Sequence, residues 1–182
     1  MRTDVKITYR EYRDLPETGP QFQLLEGELA MGPAPSLRHQ VILGRLFNAL
    51  YNHVRGEQRG VVLSSPLDLI LSEENVLQPD LVYISPARRG ILTPDGLRGA
   101  PDLCVEILSP RSRDLDLGLK RLLYARHGVA EYWGVSPEDS SLLVYRLEEQ
   151  PAVPATRLTS GDRLTTRLLP GFALDLAGLF AE

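Results

Sequence analysis

The stretch GAPDLCVEILSPRSRDLDLGLK, residues 99 to 120, places a glutamate inside an apolar segment and then begins a helix. Glu106 lies between Val105 and Ile107, in a run that is typical of a buried strand. An ionised carboxylate that is dry and unpaired costs several kcal/mol, so this one needs a cation or hydrogen-bond donors nearby. The rest of the sequence must therefore supply a partner for Glu106.

The composition limits the classes of protein that remain. The chain has 182 residues, of which 43% are hydrophobic and 24% charged, as expected for one globular domain over residues 1–182. The single cysteine, Cys104, excludes an intramolecular disulfide, and with only three histidines a zinc enzyme is not expected. Because the sequence has neither a membrane-spanning apolar run nor a signal-peptide segment, we expect a cytoplasmic protein.

Charge is spread unevenly along the chain. The formal net charge is −4, which argues against a general nucleic-acid binder. Residues 88–126, however, carry eight Lys or Arg against five Asp or Glu. A polyanion would meet this segment first.

The apolar pattern predicts alternating helices and strands. QFQLLEGELAM predicts a hairpin that turns at Glu26 and Gly27, and Ser36 is expected to cap a helix that ends near Gly56. Strands are predicted in VVLSSPLDLIL, PDLVYIS and PDLCVEIL, a helix over residues 113–127, and a C-terminal hairpin from EYWGV and LLVYRL. This order predicts a mixed α/β or α+β sandwich.

Spacing sorts the carboxylates that follow proline. Asp102 and Glu106 share one strand but stand roughly 13 Å apart along it, too far for one ion with ligands at about 2.1 Å. Asp80 opens the preceding strand, and neighbouring strands lie only about 4.8 Å apart. If the two strands pair, Asp80 and Glu106 can face each other and share a cation.

The helix after this strand offers a lysine. At i−3, i+3 and i+4, Lys120 has Leu117, Leu123 and Tyr124 as helical neighbours. Arg121 is bordered instead by Gly118, Ala125 and Asp114, so we expect Lys120 to be the cation that points inward. There it can pair with the two acids, or hold a phosphate and its attacking water; alternatively its aliphatic stem covers apolar surface and its charge reaches water. The same helix is expected to bury Leu115, Leu119, Leu122 and Leu123.

Five segments in this order resemble, over nearly the whole chain, the Uma-two family of bacterial proteins classed as restriction endonucleases. They are LEGELAM, PAPSLRHQ, PLDLILSEENVLQPDLVYIS, GAPDLCVEILSPRSRDLDLGLKRLLYARHGVAEYW and LLPGFALDL. The resemblance implies the restriction-endonuclease-like fold of the PD-(D/E)xK superfamily, a mixed β-sheet flanked by helices. It also implies a Mg²⁺ or Mn²⁺ site and a nucleic-acid substrate, DNA in the first instance.

The resemblance assigns roles to particular residues. Asp80 of QPD matches the motif's aspartate and Glu106 its acid, while Leu108 occupies the position of the expected lysine, whose role the resemblance transfers to Lys120. Glu28 of LEGEL matches an additional acid, so the implied metal ligands are Asp80, Glu106 and Glu28. Glu28 is alternatively a solvent-facing strand residue, and Asp80 alternatively a turn or cap residue.

Further residues are candidates for supporting the ligands or contacting phosphate: His39, Arg111, Arg113 and Tyr124. His39, in the PS-x-x-H pattern, shares the apolar face of its helix and is alternatively a core histidine. Arg111 and Arg113 are alternatively part of a solvated loop, and Asp68 is a reserve ligand.

The predicted function is a metal-dependent endonuclease, an enzyme that acts as a homodimer on nucleic acid. One rival is a catalytically degenerate nuclease fold that only binds nucleic acid or a partner, favoured by Leu108 and the acidic net charge. The other is a structural module whose dimer surface uses the C-terminal hairpin and LPGFALDL.

Overall fold

The computed structural model describes residues 6–15, 22–32, 34–55 and 59–181. Over these residues the helices are α1 to α5, with one 3₁₀-helix, Pro86–Ile91, and one π-helical turn, Asp116–Lys120. Their bounds are α1 Tyr9–Arg13, α2 Leu37–Val54, α3 Arg113–Leu115, α4 Arg121–Arg126 and α5 Leu176–Phe180. Within the described ranges, no helix is long and apolar enough to cross a membrane.

The strands of the described residues form two six-stranded sheets and a two-stranded one. The first sheet has the order β2-β1-β5-β4-β8-β7, with β1 Phe22–Leu25, β2 Glu28–Met31, β4 Leu69–Ser72, β5 Asn75–Leu77, β7 Leu92–Thr93 and β8 Gly96–Arg98. The second has the order β12-β11-β10-β9-β6-β3, with β3 Val61–Ser64, β6 Leu81–Ile84, β9 Leu103–Ile107, β10 Glu131–Ser136, β11 Ser141–Arg146 and β12 Thr156–Thr159. The short pair is β13 Arg163–Leu164 and β14 Leu174–Asp175.

The predicted mixed α+β architecture is confirmed, together with its two hairpins. Both turn residues of the β1–β2 hairpin have positive φ, 51° at Glu26 and 85° at Gly27, as a two-residue hairpin turn requires. Ser36 caps α2 by accepting a hydrogen bond from the His39 backbone N–H at 3.2 Å. The helix ends at Val54, and Gly56, where its end was predicted, lies outside the described residues.

The segment VVLSSPLDLIL does not form one strand. A cis Ser65–Pro66 bond separates β3 from β4, and these two strands belong to different sheets. Strand β5, which pairs with both β1 and β4, was not predicted, because its three residues are too few to show a period.

The helix predicted over residues 113–127 ends at Arg126 and contains the π-helical turn. The wider turn changes which residues face the core, so two predictions are wrong. Leu122 is exposed, whereas Arg121 is buried, with its guanidinium 5.1 Å from the ring centre of Tyr145.

The crossover between two parallel strands brings this helical segment to the second sheet. Strands β9 and β10 pair in parallel, with Glu106 opposite Gly134, so the chain between them must cross one face of the sheet. On that face, Cys104, Tyr132 and Tyr145 pack with Leu123 and Tyr124 of α4. The other face packs against α2, α5 and the C-terminal segment.

Candidate active site

The two predicted acids come from adjacent antiparallel strands. Leu81 of β6 pairs with Val105 of β9, and the same register places Asp80 beside Glu106. The predicted pairing of these strands is confirmed. Both carboxylates line a cavity of about 560 Å³ between the end of this sheet, the start of α2 and the π-helical turn.

Glu106 is buried, with 3% of its surface exposed. Its Oε1 accepts hydrogen bonds from the Tyr124 hydroxyl at 2.6 Å and from Lys120 Nζ at 3.0 Å. Burial raises the pKa of Glu106 to about 8; the Lys120 ammonium opposes this rise, and the charges of Asp116 and Asp80 add to it. Lys120 therefore supplies the cation that the sequence predicts beside Glu106.

Lys120 is buried and lies between two carboxylates, as its predicted inward orientation requires. Its Nζ is 3.0 Å from Glu106 Oε1 and 3.1 Å from Asp116 Oδ1. Burial alone would lower the pKa of Lys120, but these carboxylates raise it above its ordinary value. The side chain therefore carries a positive charge at the wall of the cavity.

Asp116 is a site residue that the sequence reasoning missed. It is 2% exposed, lines the cavity and pairs with Lys120 at a spacing of four residues. An aspartate between Leu115 and Leu117, four positions before an inward lysine, was the available signal.

Asp80 is held by groups from two elements. Its Oδ2 accepts the Ile107 backbone N–H at 2.7 Å and lies 3.2 Å from His39 Nε2. His39 thus supports the predicted ligand rather than packing only in the core. In the described part of the chain, no hydrogen bond uses Asp80 Oδ1 or Glu106 Oε2, so each acid keeps one oxygen available to the cavity.

Arginines lie at the mouth of the cavity. Arg111 and Arg38 are exposed and line it, and Arg38 was not predicted. Arg113 is outside the lining and binds Ser136 and Asp139, at 3.3 and 3.4 Å. The structure therefore places Arg111 at the cavity mouth and Arg113 beside the β10–β11 turn.

Neither Glu28 nor Asp68 lines the cavity that holds the two acids. Glu28 is exposed at the start of β2, about 10 Å along the strand from Met31, which does line the cavity. Asp68 accepts hydrogen bonds from Gln78 Nε2 at 2.8 Å and the Tyr12 hydroxyl at 3.1 Å. Within the described residues, no three His, Cys, Asp or Glu side chains form a metal-binding group, and the ligand role of Glu28 stays a prediction.

The donor set suits a hard cation. Magnesium is typically bound by one or two carboxylates, with waters and substrate phosphate completing its shell, and two acids with one available oxygen each meet this requirement. Among the described lining residues there is no cysteine and no pair of histidines to favour a softer metal. These residues therefore fit Mg²⁺ or Mn²⁺.

Comparisons with known proteins bear on the fold and the family. The family model Uma2, described as "Putative restriction endonuclease", matches residues 9–177. No curated protein matches the sequence. The crystal structure of a "putative nuclease" from Anabaena variabilis superposes with a TM-score of 0.80 over 96% of this chain and 98% of that chain, at 21% sequence identity. At that identity the likeness concerns the fold.

Proposed function

Because the Uma2 model covers most of the chain, the protein belongs to the Uma2 family, and we propose that it is a metal-dependent endonuclease acting on DNA. The observation that carries the proposal is the convergence of Asp80 and Glu106 on one cavity beside the buried cation Lys120. The family description supports a nuclease. The metal and the DNA substrate are our inference from the acids, the lysine and the arginines at the mouth.

The chain's own groups have defined tasks in this proposal. Asp80 and Glu106 would hold Mg²⁺ or Mn²⁺, which when bound polarises a phosphate and lowers the pKa of a water. Lys120 presents an ammonium to the cavity wall, where negative charge on the transferring phosphate develops. Asp116 and Tyr124 position Lys120 and Glu106, and Arg38 and Arg111 attract the phosphate backbone.

Cleavage of supercoiled plasmid DNA tests this function. The wild type should cleave with added Mg²⁺ or Mn²⁺ and stop in chelator, and Asp80→Asn should abolish cleavage. Asp102→Asn is a matched control, because Asp102, like Asp80, follows a proline and precedes a strand of the same sheet. Asp102 is outside the cavity, and its carboxylate accepts the Ser85 backbone N–H at 2.6 Å. Full activity in chelator, or equal loss in both variants, would contradict the proposal.

The degenerate-fold alternative rests on position 108. Leu108 occupies the position where the resemblance to the family implies a lysine. It is 4% exposed, so this position holds a packed apolar side chain and no cation. Salt-sensitive DNA binding without cleavage at any metal concentration would select this binding module over the endonuclease.

The predicted homodimer belongs to the same proposal. Two copies would present two cavities to the two strands of a duplex, whereas one copy would nick a single strand. The mass in solution, measured together with the ratio of nicked to linear plasmid, separates these cases.

A further inference from the structure

A second cavity lies away from the candidate active site. It has a volume of about 260 Å³ and is bounded by the start of β10, the end of β11, strand β12 and residues 163–167. Among the described residues, the two cavities share no lining side chain. Glu131 lies at this end of β10, whereas Val135 pairs with Ile107 beside the first cavity, about 13 Å further along the strand.

The lining of this second cavity is rich in hydrogen-bond donors. It contains three arginines, Arg146, Arg163 and Arg167, and three threonines, against one carboxylate, Glu131. Guanidinium and hydroxyl groups are the donors that bind the oxygens of phosphate and similar anions. Burial raises the pKa of Glu131, while hydrogen bonds from Trp133 and Thr166 and the charges of Arg146 and Arg167 oppose the rise. Its Oε1 accepts the Trp133 indole N–H at 2.6 Å, so this oxygen is already occupied.

Two of the arginines already converge on one anionic group. Arg167 Nη1 is 2.7 Å from Glu149 Oε1, and Arg146 Nη1 is 3.7 Å from Glu149 Oε2. Glu149 is not part of the lining, and its side chain is 55% exposed, so it can turn into water. An anion that entered the cavity would compete with Glu149 for the same two guanidinium groups.

We propose that this cavity is a second oxyanion site that binds a phosphate group through Arg146, Arg163 and Arg167, and that the ligand displaces Glu149. Inorganic phosphate offers more charge and more acceptor oxygens than the carboxylate it replaces. The group comes either from free phosphate or from a nucleic-acid backbone. The proposal does not depend on nuclease activity, because it uses no residue of the first cavity.

The only tryptophan of the chain reports on this site. Trp133 is the single indole in the sequence, and its N–H binds Glu131 at the cavity wall. Its ¹H–¹⁵N resonance can be followed during titration with inorganic phosphate, and separately with a DNA oligonucleotide that lacks terminal phosphates. Sodium chloride at equal ionic strength controls for salt.

Three variants give the proposal a signature. Arg167→Gln should weaken binding about tenfold or more, whereas Glu149→Gln should tighten it, because the internal competitor is removed. Arg126→Gln is the matched control, since Arg126 is a similarly exposed arginine that pairs with Glu26 at 2.8 Å elsewhere on the surface. It should leave the affinity unchanged.

The two titrations also separate the sources of the phosphate. A saturable shift with inorganic phosphate supports a free-phosphate site, and a saturable shift with the oligonucleotide alone supports contact with a nucleic-acid backbone. No saturable shift with either ligand, or a saturable shift that Arg167→Gln leaves intact, would overturn the proposal. Weaker binding by Glu149→Gln would overturn it too, because the glutamate would then be part of the site.

Discussion

Replacing Glu106 with glutamine should stabilise the metal-free protein increasingly as the pH rises. The amide oxygen of the new side chain can accept the hydrogen bonds that Lys120 and Tyr124 now donate to Glu106 Oε1. Lys120 also keeps the Asp116 carboxylate at 3.1 Å, so the substitution does not leave a buried cation alone. The Glu106→Gln variant therefore removes a costly ionisation and retains the local contacts.

The pH window follows from the pKa of Glu106. This pKa is about 8 in the folded protein against an ordinary value of 4.5, mainly because of burial. Between these two values the folded state binds more protons than the unfolded state, so wild-type stability falls as the pH rises. Stability falls by about 1.4 kcal/mol per pH unit in this window. The wild type therefore loses at most about 5 kcal/mol of unfolding free energy across it.

Urea unfolding of both proteins in chelator, at about pH 5 and about pH 9, measures the effect. We expect nearly equal stability at the lower pH, where the native carboxyl is protonated, and a more stable variant at the higher pH. A variant that is destabilised by a similar amount at every pH would refute the reasoning. That result would mean that the Glu106–Lys120 pair is a structural ion pair, for which a loss of about 3–5 kcal/mol is typical.

Three further predictions concern the same cavity. Lys120→Ala should lower the cleavage rate about a hundredfold or more, because it removes the only ammonium among the described cavity residues. Arg126→Ala, at an exposed position of α4, should keep the rate. Thermal melts verify that both variants are folded. Tyr124→Phe should cost about 1 kcal/mol in unfolding free energy and reduce kcat more than it changes KM, which steady-state kinetics would reveal. Mg²⁺ at a hundredfold excess over Kd should stabilise the wild type by about 2.7 kcal/mol, which a thermal melt detects as a higher Tm. Asp80→Asn should abolish this rise in Tm, and a full rise in the variant would show that Asp80 does not bind the metal.

Much of the site was predictable because it depends on local spacing. The apolar run around Glu106 and the proline before Asp80 identified two strands, and the width of a strand pair was enough to predict that the acids lie together. The inward orientation of Lys120 followed from its helical neighbours, and it survives the π-helical turn.

The rest depends on contacts that local spacing does not encode. The π-helical turn over Asp116–Lys120 changes the helical phase, so Arg121 became buried and Leu122 exposed against expectation. The residues of β3 and β4 form one apolar run in the sequence. Only the pairing of β4 with β5 and β8 shows that the two strands belong to different sheets. Asp116 is an exception, because its position four residues before the inward Lys120 was a local signal of its burial.

Arg121 is not a suitable control for Lys120 for the same reason. The adjacent Arg121 would serve as a control if it faced solvent, but its Nε donates to the Leu117 carbonyl at 2.7 Å and its guanidinium packs on Tyr145. Its removal would disturb the fold, whereas Arg126 is exposed and pairs only with Glu26 among the described residues.

The central claim is that Asp80 and Glu106 bind one metal ion. Anomalous diffraction from a crystal soaked in Mn²⁺ tests it most directly, because manganese gives its own signal and its ligands can be read from the map. We predict one peak between Asp80 Oδ1 and Glu106 Oε2, at about 2.1–2.2 Å from each oxygen, and no peak in crystals of Asp80→Asn. An empty cavity at saturating Mn²⁺, or a peak bound by other residues, would contradict the account.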